Sequence, residues 1–194
     1  MAGRPKHFEE EELIDRAIIA FWQKGYTATS AKDLLEAMEI GQGSFYLTFK
    51  GGKKELYKKS LLHFSEKNSK IFLKNLRDTD QPIAFIKSFF YGLTDYSVHQ
   101  KMNGCYLGNA LVELSNLDPE TKIISGNLLT QLQLNFEEAM HRAQELGQLD
   151  AHKSPKLIAS FLINFWNGIN VTQRMQNDKT AIKELIDLNF QIIE

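Results

Sequence analysis

Apolar positions recur with a helical period along most of the chain. Over 9–25, Leu13, Ile14, Ala17, Ile18, Phe21 and Trp22 share one face. Glu9 to Glu12 favour the positive end of that helix's dipole, and Gly25 stops it. The same period predicts helices over about 30–38, 42–48, 53–77, 82–100, 105–115, 119–146, 155–176 and 180–193, nine in all. Sustained period-2 alternation of β-branched residues is missing, so strands are not expected. Pro5, Pro82, Pro119 and Pro155 each precede a helical pattern, where a missing N–H costs nothing. The expected fold class is all-α. Three short helices cannot bury their faces alone and must lean on the fourth. The expected division is an N-terminal domain over 1–52 and a C-terminal domain over 53–194.

Length and composition narrow this picture. The 194 residues, 43% hydrophobic and 24% charged, suit one compact unit or one plus a small appendage, and exclude fibrous and wholly disordered classes. The single cysteine, Cys105, rules out an intramolecular disulfide and a multi-cysteine zinc site. Apolar runs such as 158–163 are far short of the roughly 20 residues of a membrane helix. The opening Met1-Ala2-Gly3-Arg4-Pro5-Lys6 lacks the apolar stretch of a signal peptide. A soluble, cytoplasmic protein with no membrane partner is expected. The net charge of −1 excludes a globally basic nucleic-acid binder, but charge is unevenly placed. Residues 24–60 carry seven lysines against Asp33, Glu36, Glu39 and Glu55, a net of +3. Alone, the dense run over 50–59 reads more readily as a solvated loop and helix start than as a binding surface.

What precedes that run gives it meaning. Ser30 is a candidate N-cap with Asp33 three residues on, a capping-box variant, and Leu34, Ala37 and Met38 form the helix's apolar face. Glu39-Ile40-Gly41 breaks the pattern, and a short helix resumes over 42–48 with Phe45 and Phe49 on its inner side. Two short helices joined by a tight turn form a helix-turn-helix. The outer face of the second carries Gln42, Gly43, Ser44 and Thr48, which suit close approach to a major groove. Tyr46, Lys50 and Lys53 are candidate phosphate contacts, which position a protein without specifying sequence.

Gly25-Tyr26-x-Ala28-Thr29-Ser30-x-x-Asp33-Leu34, Gly43-Ser44-Phe45-Tyr46-x-x-Phe49 and Lys53-x-Glu55-Leu56-Tyr57 together resemble the N-terminal domain of TetR-type transcriptional regulators. The resemblance covers about 6–66. It implies a homodimer that binds double-stranded operator DNA and is released by a small-molecule inducer bound in the C-terminal domain. Position by position, Ser30 falls on a phosphate contact at a helix start. Gln42, Gly43, Ser44 and Thr48 fall on the recognition helix, Tyr46 and Lys53 on phosphate contacts, and Arg4 and Lys6 on a basic minor-groove arm. Glu39 stands where the family has its turn glycine, Gly41 where it has Ser or Thr, and the segment 50–53 is one residue longer. A Glu at positive φ costs on the order of 1 kcal/mol.

Downstream the sequence leaves alternatives open. The stripe Ile83, Ile86, Phe89, Phe90 and Leu93 reads as core or as ligand wall. Phe89, Asn109, Phe136, Phe165 and Asn167 are the candidate pocket residues. Phe161, Phe165 and Ile169 on one terminal helix, with Ile182, Leu185, Ile186 and Phe190 on the other, pack within the chain or, as the resemblance implies, against a second copy. Cys105 is a small buried hydrophobe or a sensor thiol whose pKa a helix N-terminus lowers, with His99 nearby. A Gly-Cys-x-x-x-Asn pattern resembles family members whose cysteine reacts with electrophiles, so the inducer could be one. The five histidines are scattered with no metalloprotease or phosphate-loop motif, so neither an enzyme nor any cofactor or metal is expected. A Cys-dependent transferase and a helical adaptor without DNA binding are the rival readings.

Overall fold

The computed structural model describes residues 9–175 and 178–193, without the side chain of His99. Among them there is no strand. The helices are α1 (Glu10–Lys24), α2 (Ala31–Met38), α3 (Gln42–Thr48), α4 (Gly52–Arg77), α5 (Pro82–Gly92), α6 (Val98–Asn103), α7 (Tyr106–Leu114), α8 (Pro119–Glu145), α9 (Pro155–Met175) and α10 (Lys179–Phe190). A short 3-10 turn over Leu93–Asp95 separates α5 from α6.

That break corrects the single helix expected over 82–100. Its cause is local. Ser97 Oγ accepts from Gln100 N at 3.2 Å and Gln100 Oε1 accepts from Ser97 N at 2.9 Å, so Ser97 starts a new helix. The Ser-x-x-Gln signal was present in a stretch whose apolar period masked it.

The chain divides into two compact units, Met1–Lys67 with Ala110–Ser125, and Asn68–Asn109 with Gly126–Glu194. Helices α4, α7 and α8 each contribute to both. In the first unit α1 buries Leu13, Ile14, Ala17, Ile18 and Phe21, α2 buries Leu34 and Met38, α3 buries Phe45, and α4 buries Leu56, Tyr57 and Leu61. Phe21 meets the Tyr57 ring edge-on at 4.7 Å and Trp22 meets Phe64 at 5.2 Å. Helix α1 thus packs its rings on α4. His63 Nε2 and Lys67 Nζ both reach Asp15, at 3.1 and 2.9 Å.

The second unit is built on stacked aromatic rings. Phe90 is fully buried, stacked on Phe165 at 5.0 Å and on Phe136 at 5.9 Å, with Phe190 edge-on at 5.7 Å. Phe89 stacks on Trp166 at 5.0 Å. Fully burying one such ring contributes roughly 1.5–3 kcal/mol. Ile169, Ile182, Ile186 and Ile193 complete the core.

Candidate nucleic-acid interface

The helix-turn-helix is fixed by local hydrogen bonds before any partner is considered. At its start Ser30 Oγ accepts from Asp33 N at 3.1 Å, and Asp33 Oδ2 accepts from Ser30 N at 2.8 Å and from Ser30 Oγ at 2.7 Å. Lys24 Nζ donates to Asp33 Oδ1 at 2.6 Å. The Lys24 ammonium, then these Ser30 bonds, hold the Asp33 carboxyl well below the usual carboxylate range. Helix α2 closes on Glu39 at φ 57°, ψ 36°, with Ile40 N bonding Leu35 O at 3.2 Å. This is a left-handed C-terminal closure usually made by glycine. Arg16 Nη1 lies 3.2 Å from Glu39 Oε2 and 3.3 Å from Met38 O.

Helix α3 is anchored from below. Phe45 and Phe49 are buried, their rings 5.7 Å apart. Above them Gln42, Gly43, Ser44, Tyr46 and Leu47 are exposed, and Thr48 is half-buried with its hydroxyl donating to Ser44 O at 3.0 Å. Nothing within 4 Å opposes a side chain at Gly41 or Gly43, so α3 presents open surface at its first turn. Leu47, 79% exposed, was missed by the sequence reading. Its signal was its place one turn beyond Ser44 on the polar face, where an apolar side chain can meet a thymine methyl.

The lysine run proves largely committed within the chain. Lys54 Nζ reaches Asp118 Oδ2 at 2.9 Å, Lys58 pairs with Glu120, and Lys59 Nζ reaches Glu10 Oε1 at 2.6 Å. Lys53 Nζ donates to Thr29 O at 2.7 Å and lies 4.4 Å from the centre of the Tyr26 ring; burial pushes its pKa down. Lys50 is exposed and forms no ion pair among the described residues. Tyr46, 48% exposed, stands over Gly52, whose φ is +64°. Glu55 Oε2 accepts from Gly51 N at 2.6 Å, so the lengthened 50–53 segment is a capped start for α4. Arg4 and Lys6 lie outside the described residues.

Of the candidate pocket residues, Phe89, Phe136 and Phe165 pack in the core through their rings, and Asn167 is exposed. Asn109 Nδ2 donates to Asn103 O at 2.6 Å and its Oδ1 accepts from Arg174 Nη2 at 2.7 Å. A half-open cavity of about 300 Å³ lies elsewhere, lined by Leu73, Leu76 and Arg77 of α4 and by Gln131, Leu134, Asn135, Glu138 and Arg142 of α8. Arg142 Nη2 caps Arg77 O and Thr79 O at 3.1 and 2.8 Å, and its Nε is buried without a partner.

Cys105 sits just before α7, its Sγ accepting from Gly108 N at 3.3 Å and from Trp166 Nε1 at 3.4 Å. The expected lowering of its pKa is reversed. Burial pushes the thiol up and outweighs the hydrogen bonds that favour the thiolate. Among the described residues no group of three or more His, Cys, Asp or Glu could hold a metal ion, and no helix is long and apolar enough to cross a membrane.

The terminal helices carry two apolar stripes. Phe165, Ile169, Ile182, Ile186 and Phe190 are buried in their own chain, with Phe161 and Leu185 packed against the same core. The outward face of α9 is a second stripe: Leu157, Asn164, Gly168, Val171 and Met175 are exposed and Phe161 half-exposed. These positions alternate steps of four and three, the heptad spacing of a helix seam.

The family described as "Tetracyclin repressor-like, C-terminal domain" matches residues 82–188, and "Bacterial regulatory proteins, tetR family" matches 13–59. The chain is 23% identical to the HTH-type transcriptional repressor DhaR of Mycobacterium sp. (strain GP1), over 94% of this chain and 91% of the relative. Its fold is similar to regulatory protein TetR from Rhodobacter sphaeroides, with a TM-score of 0.83, 18% identity and coverage of 95% and 98% of the two chains. It is also similar to a cysteine mutant of the regulator CifR, solved in complex with double-strand operator DNA, with a TM-score of 0.76, 22% identity and coverage of 97% and 98%. With its C-terminal match spanning more than half of its length and its helix-turn-helix matched independently, this chain belongs to the TetR family of bacterial regulatory proteins.

Proposed function

We propose that the protein is a cytoplasmic, homodimeric transcriptional repressor that binds a palindromic operator and leaves it when a small molecule binds. The observation that carries this is α3, held from below by Phe45 and Phe49 and presenting Gln42, Gly43, Ser44, Tyr46 and Leu47 outward. A seven-residue helix with this polar upper face is suited to base edges, and family membership supplies the role. Ser30, Tyr46 and Lys50 are the proposed phosphate contacts. Thr48 and Lys53 stand beside them, Lys53 with part of its donor capacity spent on the chain's own carbonyls.

The proposed division of labour gives 1–52 to reading DNA and 53–194 to effector binding and dimerisation. The second copy is proposed to cover the Leu157–Phe161–Asn164–Gly168–Val171–Met175 stripe rather than the buried residues beside it. The cavity between α4 and α8 offers a small effector direct access to α4. A reversible ligand is favoured over a thiol modification because Cys105 is held as a thiol. The role is binding rather than turnover, in keeping with relatives that are transcriptional regulators.

The test is footprinting of the purified protein on DNA flanking its own gene, at 50 and 200 mM salt. A protected near-palindrome is expected, with affinity falling by about 10³-fold or more if some six phosphates are contacted. A folded dimer that protects nothing at the lower salt would refute operator binding there. Val171→Glu should yield a monomer; a dimer of undiminished strength would refute the α9 seam.

A further inference from the structure

We propose that Glu113 is a positioning residue for the DNA-reading helices, acting as a carboxylate grip on the turn between α1 and α2. The inference rests on the operator-binding reading above. Glu113 lies in the last turn of α7, and both of its oxygens are engaged. Oε2 accepts from Tyr26 N at 2.9 Å and Oε1 from Thr27 N at 2.7 Å, across 87 and 86 residues of sequence. Hydrogen bonds that end on a charged acceptor are among the stronger ones in proteins.

The turn is shaped to receive that carboxylate. Gly25 has φ +80°, and a Cβ there would stand 3.0 Å from Glu113 Oε2. Glycine is therefore needed both for the backbone conformation and for the approach. The carbonyls of the same turn are met from the other side, where Lys53 Nζ reaches Thr29 O at 2.7 Å. Thr29, fully buried, donates its hydroxyl to Gly25 O at 2.5 Å. Ser30, the next residue, opens α2, which leads through Glu39 to α3. Residues just after α7 add a second attachment, through Asp118 to Lys54 and Glu120 to Lys58 on α4.

The consequence is that Glu113 fixes the turn that carries α2 and α3. In a dimer, the placement of α3 sets how far apart its two copies stand, and a palindrome's half-site spacing must match that distance.

The test compares wild type with Glu113→Gln, which keeps size but replaces one acceptor oxygen by a donor NH₂. Amide exchange at Tyr26 and Thr27 is read directly, and operator affinity is measured on palindromes whose half-site spacing is changed by one and two base pairs. Exchange at those amides should rise about tenfold or more. Affinity for the preferred spacing should fall by a similar factor, while discrimination between spacings flattens and non-specific DNA binding stays unchanged. A merely structural role would not move the spacing preference. Unchanged amide exchange, or unchanged spacing preference with the amides exposed, overturns the proposal. If Glu113→Gln does not fold, Glu113→Asp serves, because one methylene less cannot reach both amides. If wild type binds no operator, the repressor reading fails, while amide exchange still decides whether the grip exists.

Discussion

Replacing Glu39 by glycine should make the protein more stable, although it removes a side chain with an ion-pair partner. Glu39 has φ 57° and ψ 36°, and no other described non-glycine residue has positive φ. For an L-residue this conformation costs roughly 1–2 kcal/mol, a cost glycine does not bear. The more flexible unfolded chain returns about 0.4–1 kcal/mol of that gain. The lost contact is Arg16 to Glu39, at 3.2 Å with the glutamate side chain 62% exposed. Solvent screens such a pair, and Arg16 keeps its bonds to Met38 O and to Glu12 at 3.3 and 2.8 Å. The net gain is about 0.5–1 kcal/mol at the backbone, or a rise in Tm of about 1–4 °C for a chain of this size. Glu39→Ala keeps the backbone strain and loses the pair, so it should sit at or slightly below wild type. Thermal unfolding of the three proteins at low and at 0.5 M salt separates the effects, because salt screens the pair and leaves the backbone cost untouched. A Glu39→Gly protein no more stable than Glu39→Ala at either salt would refute the strain.

Three further outcomes are expected. Leu47→Ala should leave unfolding free energy within about 0.5 kcal/mol of wild type, because the side chain is 79% exposed. Wild type should then lose about fourfold affinity when the contacted thymine is replaced by uracil, the value of one methyl, and Leu47→Ala should lose nothing further; equal losses in both would show that Leu47 reads no methyl. The Asp33 carboxyl has a depressed folded pKa, so the folded state binds fewer protons there and stability rises with pH. The Tm gap between wild type and Asp33→Asn should be constant above about pH 5 and shrink as pH falls below about 4; a gap that widens on acidification would contradict this sign. Burial holds Cys105 as a thiol, so iodoacetamide at pH 7.4 should alkylate it more slowly than free cysteine, and urea unfolding should abolish the difference; a folded-state rate matching free cysteine would restore the sensor reading.

The sequence made the helix-turn-helix legible because its determinants are local. The Ser30–Asp33 box, the break at Glu39 and the Phe45–Phe49 pair each depend on residues within a few positions of one another. The family resemblance set Glu39 where a turn glycine is usual, leaving either a different turn or a tolerated strain, and the structure has Glu39 at positive φ. The lysine run was less legible. Its charge could be counted, but the acids that engage it, Glu10, Asp118 and Glu120, come from distant parts of the chain. Glu113 left no signal at all, since its partners are backbone amides some 86 residues away.

Helix α9 shows a subtler limit, and resolving it strengthens the dimer reading. Its apolar residues form two adjacent stripes. One holds Ile158, Leu162, Phe165 and Ile169, and the other Leu157, Phe161, Val171 and Met175. Helical periodicity detects that a face is apolar, not which neighbour covers it. The helix carries more apolar surface than one chain needs, and periodicity leaves open whether Phe165 and Ile169 belong to that excess. The excess is real, but it lies one residue around the helix, on the stripe that includes Gly168. Five of the six positions on that stripe are exposed in a single chain, and four of the six are large and apolar. Scattered exposed hydrophobes need no explanation, whereas a heptad-spaced row along 19 residues of one helix asks for a partner of the same shape. A second copy offers that row by symmetry, with Gly168 and Asn164 at its centre allowing the two backbones to approach.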